Sequence, residues 1–255
     1  MKHSHTNNSS QLLSREAHVW HVVPESVCDP AILQHFRDIL NTEEREKLVR
    51  FVRPEDSHHY LVVHALVRSV LSYYTNIAPS DWCFTHGKHG RPEIHPDTGS
   101  RLRFNLTHTR GLVACVVTLD VDCGIDAELL CERSNPLGVA KRMFSPPELE
   151  ALGQREGGDF LDYFYEHWTL REAYVKARGI GISFPTRRLC FNTEGKKVSV
   201  EFDDTVDDCE KNWHFQLIRP NATHIVSLAL RSNSDEHKDV VVCEWGVKGD
   251  RFRST

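Results

Sequence analysis

The segment from Tyr60 to Leu71 constrains the fold most strongly, because it is apolar on almost every side of the helix that it predicts. Two polar side chains, His64 and Arg68, interrupt it. Pro54 opens this helix and is followed by two acidic residues, which suit the helix dipole in a first turn. A helix with so little polar surface is expected to be buried. The hydrophobic content of 40% is sufficient for the substantial core that this requires.

The segments around this helix predict an α+β fold. A shorter helix is expected over Thr42–Phe51, with Thr42 as its N-cap, and a long helix over Asp159–Arg178 that Gly179 and Gly181 end. Between Ser183 and Trp245 the alternating segments are typical of antiparallel strands. Helices segregated from such strands favour α+β over a regular βαβ array. The clearest predicted strands are LRFNLTH, LVACVVTLD, DCGIDAE, KKVSVEF, WHFQLI and HIVSLAL.

Charge and composition exclude several classes of protein. The formal net charge of −5 argues against general nucleic-acid binding, which neutralises many phosphates, but it leaves room for a local basic pocket. No apolar run approaches the length of a membrane span, and the polar start MKHSHTNNSSQ does not resemble a signal peptide. The eight cysteines include no C-x-x-C pair, so we expect reduced, mostly structural thiols in a cytoplasmic protein.

Four charged residues form the first candidate site. Asp126 and Glu128 are two apart on a predicted strand, so their side chains share a face and could hold a hard cation such as Mg²⁺. The alternative is a solvated strand end. Glu172 interrupts the apolar stripe of the long helix, where a carboxylate is expected to be partly buried and therefore paired or metal-bound. Lys176 lies four residues later, and a simple Glu–Lys surface pair is the alternative for these two.

A glycine-rich loop suggests contacts to phosphate, because GKHGRP contains Lys88 and Arg91 where the backbone could approach such a group. Thr107 and His108 end the predicted strand FNLTHT, where the alternative to a functional histidine is an ordinary histidine of the core. The loop lacks the spacing of a P-loop, and RGIGIS lacks the third glycine of a dinucleotide fingerprint. We do not expect a zinc site at His86 and His89, because their loop is too rich in glycine to be preformed.

Three motifs occurring in order carry a family resemblance. FNLTHT, GIDAE and WTLREAYVKARGIG resemble the signature set of the 4′-phosphopantetheinyl transferases of the surfactin-activating (Sfp) type, and the likeness covers roughly residues 40 to 190. It implies a monomer of two similar α+β halves in a pseudo-two-fold arrangement. We therefore expect a tail over residues 1–15, one half over 16–121 and a second half with metal ligands over 122–255. It also implies Mg²⁺-dependent transfer of 4′-phosphopantetheine from coenzyme A to a carrier-protein serine, releasing adenosine 3′,5′-bisphosphate.

The resemblance also implies roles for individual residues. Glu172 corresponds to the candidate base for the serine hydroxyl, and Lys176 to the group that supports the leaving phosphate. The implied metal ligands are Asp126, Glu128 and Glu172, and the implied coenzyme A contacts are Lys47, Arg91, Thr107 and His108. Three positions differ from the usual pattern: Thr107 replaces a serine, Arg171 replaces a lysine, and Glu44 stands where some members have a lysine for the nucleotide.

The expected protein partner is an apo-carrier domain of a fatty-acid, polyketide or non-ribosomal peptide synthase. Its docking surface is predicted in ERSNPLGVAKRMFSPP, where basic side chains flank Met143 and Phe144; the alternative is an ordinary helix with Phe144 in the core. The basic residues are Arg133, Lys141 and Arg142. One alternative function is a non-catalytic module that binds coenzyme A or a carrier protein. Another is a different Mg²⁺-dependent phosphoryl transferase, but the sequence has no P-loop and no kinase motif, which disfavours it.

Overall fold

The structure is a computed structural model, and it describes residues 10–181, 183–195, 197–231, 238–246 and 253–254. The chain forms two compact units, Met1–Asp120 with Lys238–Thr255, and Val121–His237. The expected division after residue 121 lies one residue beyond the boundary between the units, and the expected second half over 122–255 differs because residues 238–255 belong to the first unit. Of the predicted tail, residues 1–9 lie outside the described residues. Within residues 10–15, Leu13 is completely buried.

The first unit packs helices against a five-stranded sheet. Strands are numbered along the whole chain, so β6 to β10 belong to the second unit. The strands of the first unit are β1 (Glu16–Val22), β2 (Phe84–His86), β3 (Pro92–Ile94), β4 (Leu102–Thr109), β5 (Leu112–Leu119), β11 (Asp239–Glu244) and β12 (Arg253–Ser254). The large sheet has the order β12-β11-β1-β5-β4, and β2 and β3 form a separate hairpin. The prediction of antiparallel pairing up to Trp245 is wrong for β11, which runs parallel to β1.

The longer helices among the described residues of the first unit are α1 (Pro30–Ile39), α2 (Thr42–Leu48) and α3 (Pro54–Tyr73). The prediction that Pro54 begins a buried helix is confirmed, since the core of the unit includes Leu61, Val62, Ala65 and Leu66 of α3. The predicted cap of α2 is wrong by one residue. Asn41 caps the helix, because its side chain accepts the Glu44 N–H while the Glu44 carboxylate accepts the Asn41 N–H.

The second unit packs a long helix on a three-stranded antiparallel sheet. Its helices are α4 (Pro136–Met143), α5 (Pro146–Gly153) and α6 (Gly157–Arg178), and its strands are β6 (Cys123–Leu129), β7 (Leu189–Asn192), β8 (Ser199–Phe202), β9 (Trp213–Asn221) and β10 (His224–Arg231). The sheet order is β6-β10-β9, with β7 and β8 as a separate hairpin. Gly179 ends α6 with φ 63°, as the sequence predicts.

These elements confirm the α+β class. No helix within the described residues is both long and apolar enough to cross a membrane. All eight cysteines are free thiols.

Candidate functional site

A close approach between β6 and α6 creates the acidic site in the second unit. Gly124 lies on β6 against α6, and a side chain at this position would overlap the backbone of Ala173 and Ala177. Because side chains alternate along a strand, Asp126 and Glu128 share the face of Gly124. The glycine at the start of GIDAE therefore lets the helix approach the strand that carries both acids.

Lys176 of α6 pairs with a carboxylate of the neighbouring strand β6. Its Nζ donates to Asp126 Oδ1 at 2.7 Å and to the Ile125 carbonyl at 3.1 Å. The Asp126 side chain is 11% exposed, and the Lys176 side chain is 30% exposed. This arrangement joins the middle of β6 to the last turns of α6. The charge of Lys176 also acts on Glu172, so the interaction of these two residues that the sequence allowed is present beside the pair with Asp126.

The acidic side chains are crowded enough to disfavour one another's charge. Burial, followed by the negative charge of Asp126, raises the pKa of Glu128 and also that of Glu172. Arg133 and the Trp168 indole oppose this effect at Glu128, while Lys176 opposes it at both glutamates. The prediction that Glu172 is partly buried is confirmed.

The donor chemistry of these carboxylates fits a hard divalent cation. Mg²⁺ prefers oxygen ligands and usually uses one or two carboxylates with phosphate oxygens and water. Within the described part of the chain, no group of three or more acidic, histidine or cysteine side chains is already arranged as a metal site. The structure instead shows Asp126 paired with Lys176 and Glu128 paired with Arg133, so a cation would have to rearrange these ion pairs.

Arg171, the neighbour of Glu172 in sequence, faces the core. It is completely buried, and its guanidinium pairs with Glu148 and donates to the carbonyls of Met143, His167 and Leu189, each at 2.8 Å. This arginine therefore braces α6 against α4, α5 and β7. The sequence alone shows only an arginine in place of the usual lysine beside Glu172, and it could not reveal this role.

The first unit contains a cavity of about 940 Å³ that includes two of the predicted coenzyme A contacts. Phe104, Leu106 and His108 line it from one face of β4, and exposed Lys47 lines it from α2. Thr107 is buried, and strand alternation places it on the opposite face of β4. Arg91 does not line the cavity, and its Nε lies 3.2 Å from the Glu93 carboxylate.

Glu44 forms part of the cavity wall as the centre of a buried ion pair. Its carboxylate accepts from Arg68 Nε and contacts His64 Nδ1, each at 2.8 Å. Burial alone would raise the pKa of Glu44, but the hydrogen bonds to His64 and Arg68 outweigh it and lower that pKa to about 2. The Glu44 carboxylate is therefore ionised and bonded to His64 and Arg68 within the protein. In the sequence, the position of Glu44 three residues after Asn41 is the spacing of a capping box, and it could have indicated that the Glu44 side chain turns back toward its own helix.

The predicted docking surface is only partly present on the surface of the second unit. Lys141 and Arg142 are exposed, but Phe144 is completely buried and contacts the Phe164 ring. The prediction that Phe144 forms an apolar docking centre is therefore wrong. The exposed apolar residue on α4 is Leu137, at 47%. Arg133 faces Glu128, and the sequence did not associate these two residues.

Comparisons with known proteins point to one family. Residues 122–229 match the model of the 4′-phosphopantetheinyl transferase superfamily, and residues 29–119 match a model described as the N-terminal part of a 4′-phosphopantetheinyl transferase. The transferase HetI of Nostoc sp. strain PCC 7120 is 34% identical over 68% of this chain and 72% of its own length. The transferase Sfp of Bacillus subtilis strain 168 is 32% identical over 69% of this chain and 77% of its own length.

A more distant relative supports the same assignment. The L-aminoadipate-semialdehyde dehydrogenase-phosphopantetheinyl transferase of Pongo abelii is 26% identical over 79% of this chain and 70% of its own length. The superfamily match includes both β6 and α6, the two elements that carry the acidic site. Two family models that match in order, and relatives above 30% identity along most of their length, establish that this chain belongs to the 4′-phosphopantetheinyl transferase family.

Proposed function

We propose that the protein transfers 4′-phosphopantetheine from coenzyme A to a serine of an apo-carrier protein, with the chemistry at the acidic face of β6 and α6. The observation that carries this proposal is the convergence of Asp126, Glu128, Glu172 and Lys176 within one unit. A module that only binds coenzyme A or a carrier protein would not require this set. The names of the relatives also favour catalysis over binding alone.

The bond changes define what the side chains must do. The serine oxygen forms a bond to the β-phosphorus of coenzyme A, and the bond from that phosphorus to the bridging oxygen breaks, so that adenosine 3′,5′-bisphosphate leaves. Glu172 accepts the serine proton. Lys176 supplies a positive charge for the leaving phosphate.

Mg²⁺ is the divalent cation that we propose at this site. Asp126, Glu128 and Glu172 would hold it through carboxylate oxygens, and binding would relieve the repulsion that raises the pKa of both glutamates. When bound, the ion would stabilise negative charge on the phosphate oxygens.

The cavity of the first unit is the proposed site for the nucleotide portion of coenzyme A. Lys47 and His108 line it and can contact phosphates. Thr107 and Arg91 remain proposed phosphate contacts on the strength of the resemblance, although neither lines the cavity. Side chains such as Phe51, Phe84 and Phe104 give the cavity an apolar portion.

We also propose where and in what form the protein acts. It works as a cytoplasmic monomer on carrier domains of fatty-acid, polyketide or non-ribosomal peptide synthases. Eight free thiols are compatible with a reducing compartment. Lys141 and Arg142, exposed near Leu137 on α4, are the proposed contacts for an acidic carrier helix.

The decisive experiment is a mass measurement on the acceptor. Purified protein, coenzyme A and Mg²⁺ are incubated with apo-carrier domains of the three synthase classes, and each carrier is weighed for an added phosphopantetheine. Asp126→Asn and Glu172→Gln should abolish transfer. Asp159→Asn is the matched control, because Asp159 is an exposed acid in the first turn of α6. Absence of a mass gain on every carrier, or full activity of Asp126→Asn at saturating Mg²⁺, would refute the proposal.

A further inference from the structure

Glu128 has a cationic partner that no sequence motif predicts. Arg133 Nη2 lies 3.0 Å from Glu128 Oε1, and the nearby Trp168 side chain also lowers the pKa of this carboxylate. Arg133 comes five residues after Glu128, in the connection between β6 and α4. The connection therefore turns back toward the end of the strand from which it emerges.

The position of Arg133 is fixed by contacts other than the ion pair. Its Nε donates to the Tyr165 hydroxyl at 3.2 Å, and its guanidinium lies 5.5 Å from the centre of the Tyr165 ring and 5.1 Å from that of Trp168. The Tyr165 hydroxyl in turn donates to the Cys131 carbonyl at 2.8 Å, which anchors the same connection. An arginine held between two rings keeps its charge in one place, whereas a flexible surface side chain would not.

The balance of charge at the acidic face depends on this residue. Three carboxylates, Asp126, Glu128 and Glu172, face two cations, Lys176 and Arg133. Each fixed positive charge reduces the attraction of the site for an incoming divalent cation, and the Arg133 ion pair also engages an oxygen that such a cation would use.

We propose that Arg133 lowers the affinity of the acidic face for divalent metal by holding Glu128 in an ion pair that the metal must break. This inference rests on the proposed function, which makes the same carboxylates metal ligands. Arg133 is thus a residue that sets metal affinity without being a ligand. Its effect is separate from that of Lys176, which engages Asp126.

The experiment measures metal binding directly, in the absence of coenzyme A. Mn²⁺ serves as the probe because it takes oxygen ligands as Mg²⁺ does and its free form can be followed by electron paramagnetic resonance. We expect Arg133→Gln to bind Mn²⁺ about tenfold more tightly than the unmodified protein, as expected for removing one positive charge beside a divalent ion. Arg133→Lys keeps the charge and should tighten binding by less than threefold.

Two further variants separate the possible outcomes. Arg187→Gln removes the same charge from an exposed position in the second unit and should leave the Mn²⁺ affinity unchanged. Asp126→Asn should abolish Mn²⁺ binding. Circular dichroism and the melting temperature establish that each variant is folded.

The inference is overturned if Arg133→Gln binds Mn²⁺ with the same affinity as the unmodified protein, because Arg133 would then have no effect on the metal. It is also overturned if this variant binds Mn²⁺ more weakly, which would mean that Arg133 orients Glu128 as a ligand. It is also overturned if Arg133→Lys tightens binding as much as Arg133→Gln, since charge would then not be the cause. Loss of binding in Asp126→Asn with an unchanged Arg133→Gln would refute this inference alone. Equal binding in all variants, including Asp126→Asn, would also refute the proposed metal site.

Discussion

Each of the two units contains a buried ion pair between an arginine of its long helix and a glutamate in the first turn of a short helix. In the first unit Arg68 of α3 pairs with Glu44, and in the second Arg171 of α6 pairs with Glu148. Both arginines are completely buried. Each glutamate is the third residue of its helix and accepts a hydrogen bond from the N–H of the capping residue.

The surroundings of the two pairs differ. Glu148 is enclosed, and besides Arg171 it accepts from the Phe191 N–H at 2.8 Å. Glu44 borders the large cavity and is shared between Arg68 and the partly exposed His64. In the part of the chain that the structure describes, Arg68 Nη2 is buried without a hydrogen-bond partner. The same ion-pair arrangement thus has two uses. The Arg171–Glu148 pair braces the helix of the proposed base, and the Arg68–Glu44 pair forms part of the wall of a ligand-sized cavity.

The largest effect is expected from breaking the enclosed pair. Arg171→Met should lower the free energy of unfolding by about 4 kcal/mol, because it leaves the Glu148 charge buried without its partner. Urea unfolding followed by fluorescence and circular dichroism measures the change. The double variant Arg171→Met with Glu148→Leu should recover most of the loss. A loss below about 1 kcal/mol in the single variant would contradict the assigned burial energetics.

The pair at the cavity should tolerate damage better. Glu44→Gln is expected to cost about 3 kcal/mol in the same unfolding measurement, since water in the cavity can solvate part of the remaining charge. Glu43→Gln, an exposed acid of the same helix, is the matched control and should change stability by less than about 0.5 kcal/mol. If Glu44→Gln costs more than Arg171→Met, the contrast between enclosed and cavity-lining pairs is wrong.

Acid should expose the contribution of Glu44. Its pKa is lowered to about 2 in the folded protein, so the ionised form is favoured there relative to the unfolded chain. The resulting stabilisation, about 3 kcal/mol, is fully present above pH ~4.5 and is lost as the pH falls toward 2. Unfolding at a series of pH values should show this loss in the unmodified protein and not in Glu44→Gln. Parallel curves for both proteins would count against the lowered pKa.

The close packing of β6 on α6 gives a test confined to the second unit. Gly124→Ala should reduce transfer by about 100-fold, because the added methyl group overlaps the α6 backbone and shifts Glu172 and Lys176 relative to Asp126. Gly153→Ala is the control, since a side chain at Gly153 meets no neighbouring atom within 4 Å. Activity of Gly124→Ala within threefold of the unmodified protein would show that the approach is not critical.

The smallest effect is expected at the cavity itself. His108→Ala should raise the KM for coenzyme A about fivefold and leave kcat unchanged, as for a contact made equally in the ground state and the transition state. His35→Ala, an exposed histidine of α1, should alter neither constant. A fall in kcat at constant KM would assign His108 to the chemistry and separate its role from that of the cavity.

Local patterns in the sequence predicted much of this architecture. Apolar periodicity identified α3, α6 and the strands on both sides of the acidic motif, because each element must bury one face or all faces. Prolines and glycines located the start of α3 and the end of α6 through their backbone preferences. The spacing of GIDAE and of Glu172 in its helix also indicated an acidic face, since strand and helix periods determine which side chains share a side.

Long-range contacts were beyond the reach of such patterns. The pairing of β11 with β1, the burial of Phe144 and the complete burial of Arg171 depend on which elements pack together. The same holds for Arg133 at Glu128, because an ion pair formed across a connection requires the backbone path and not only the spacing. The sequence by itself determined the long helices and most strands, the family and the chemical types at the site, but it did not predict β1 or α1. Only the tertiary structure decided which acidic side chain pairs with which basic one, because the strength of an ion pair depends on the distance between its charges and on their burial.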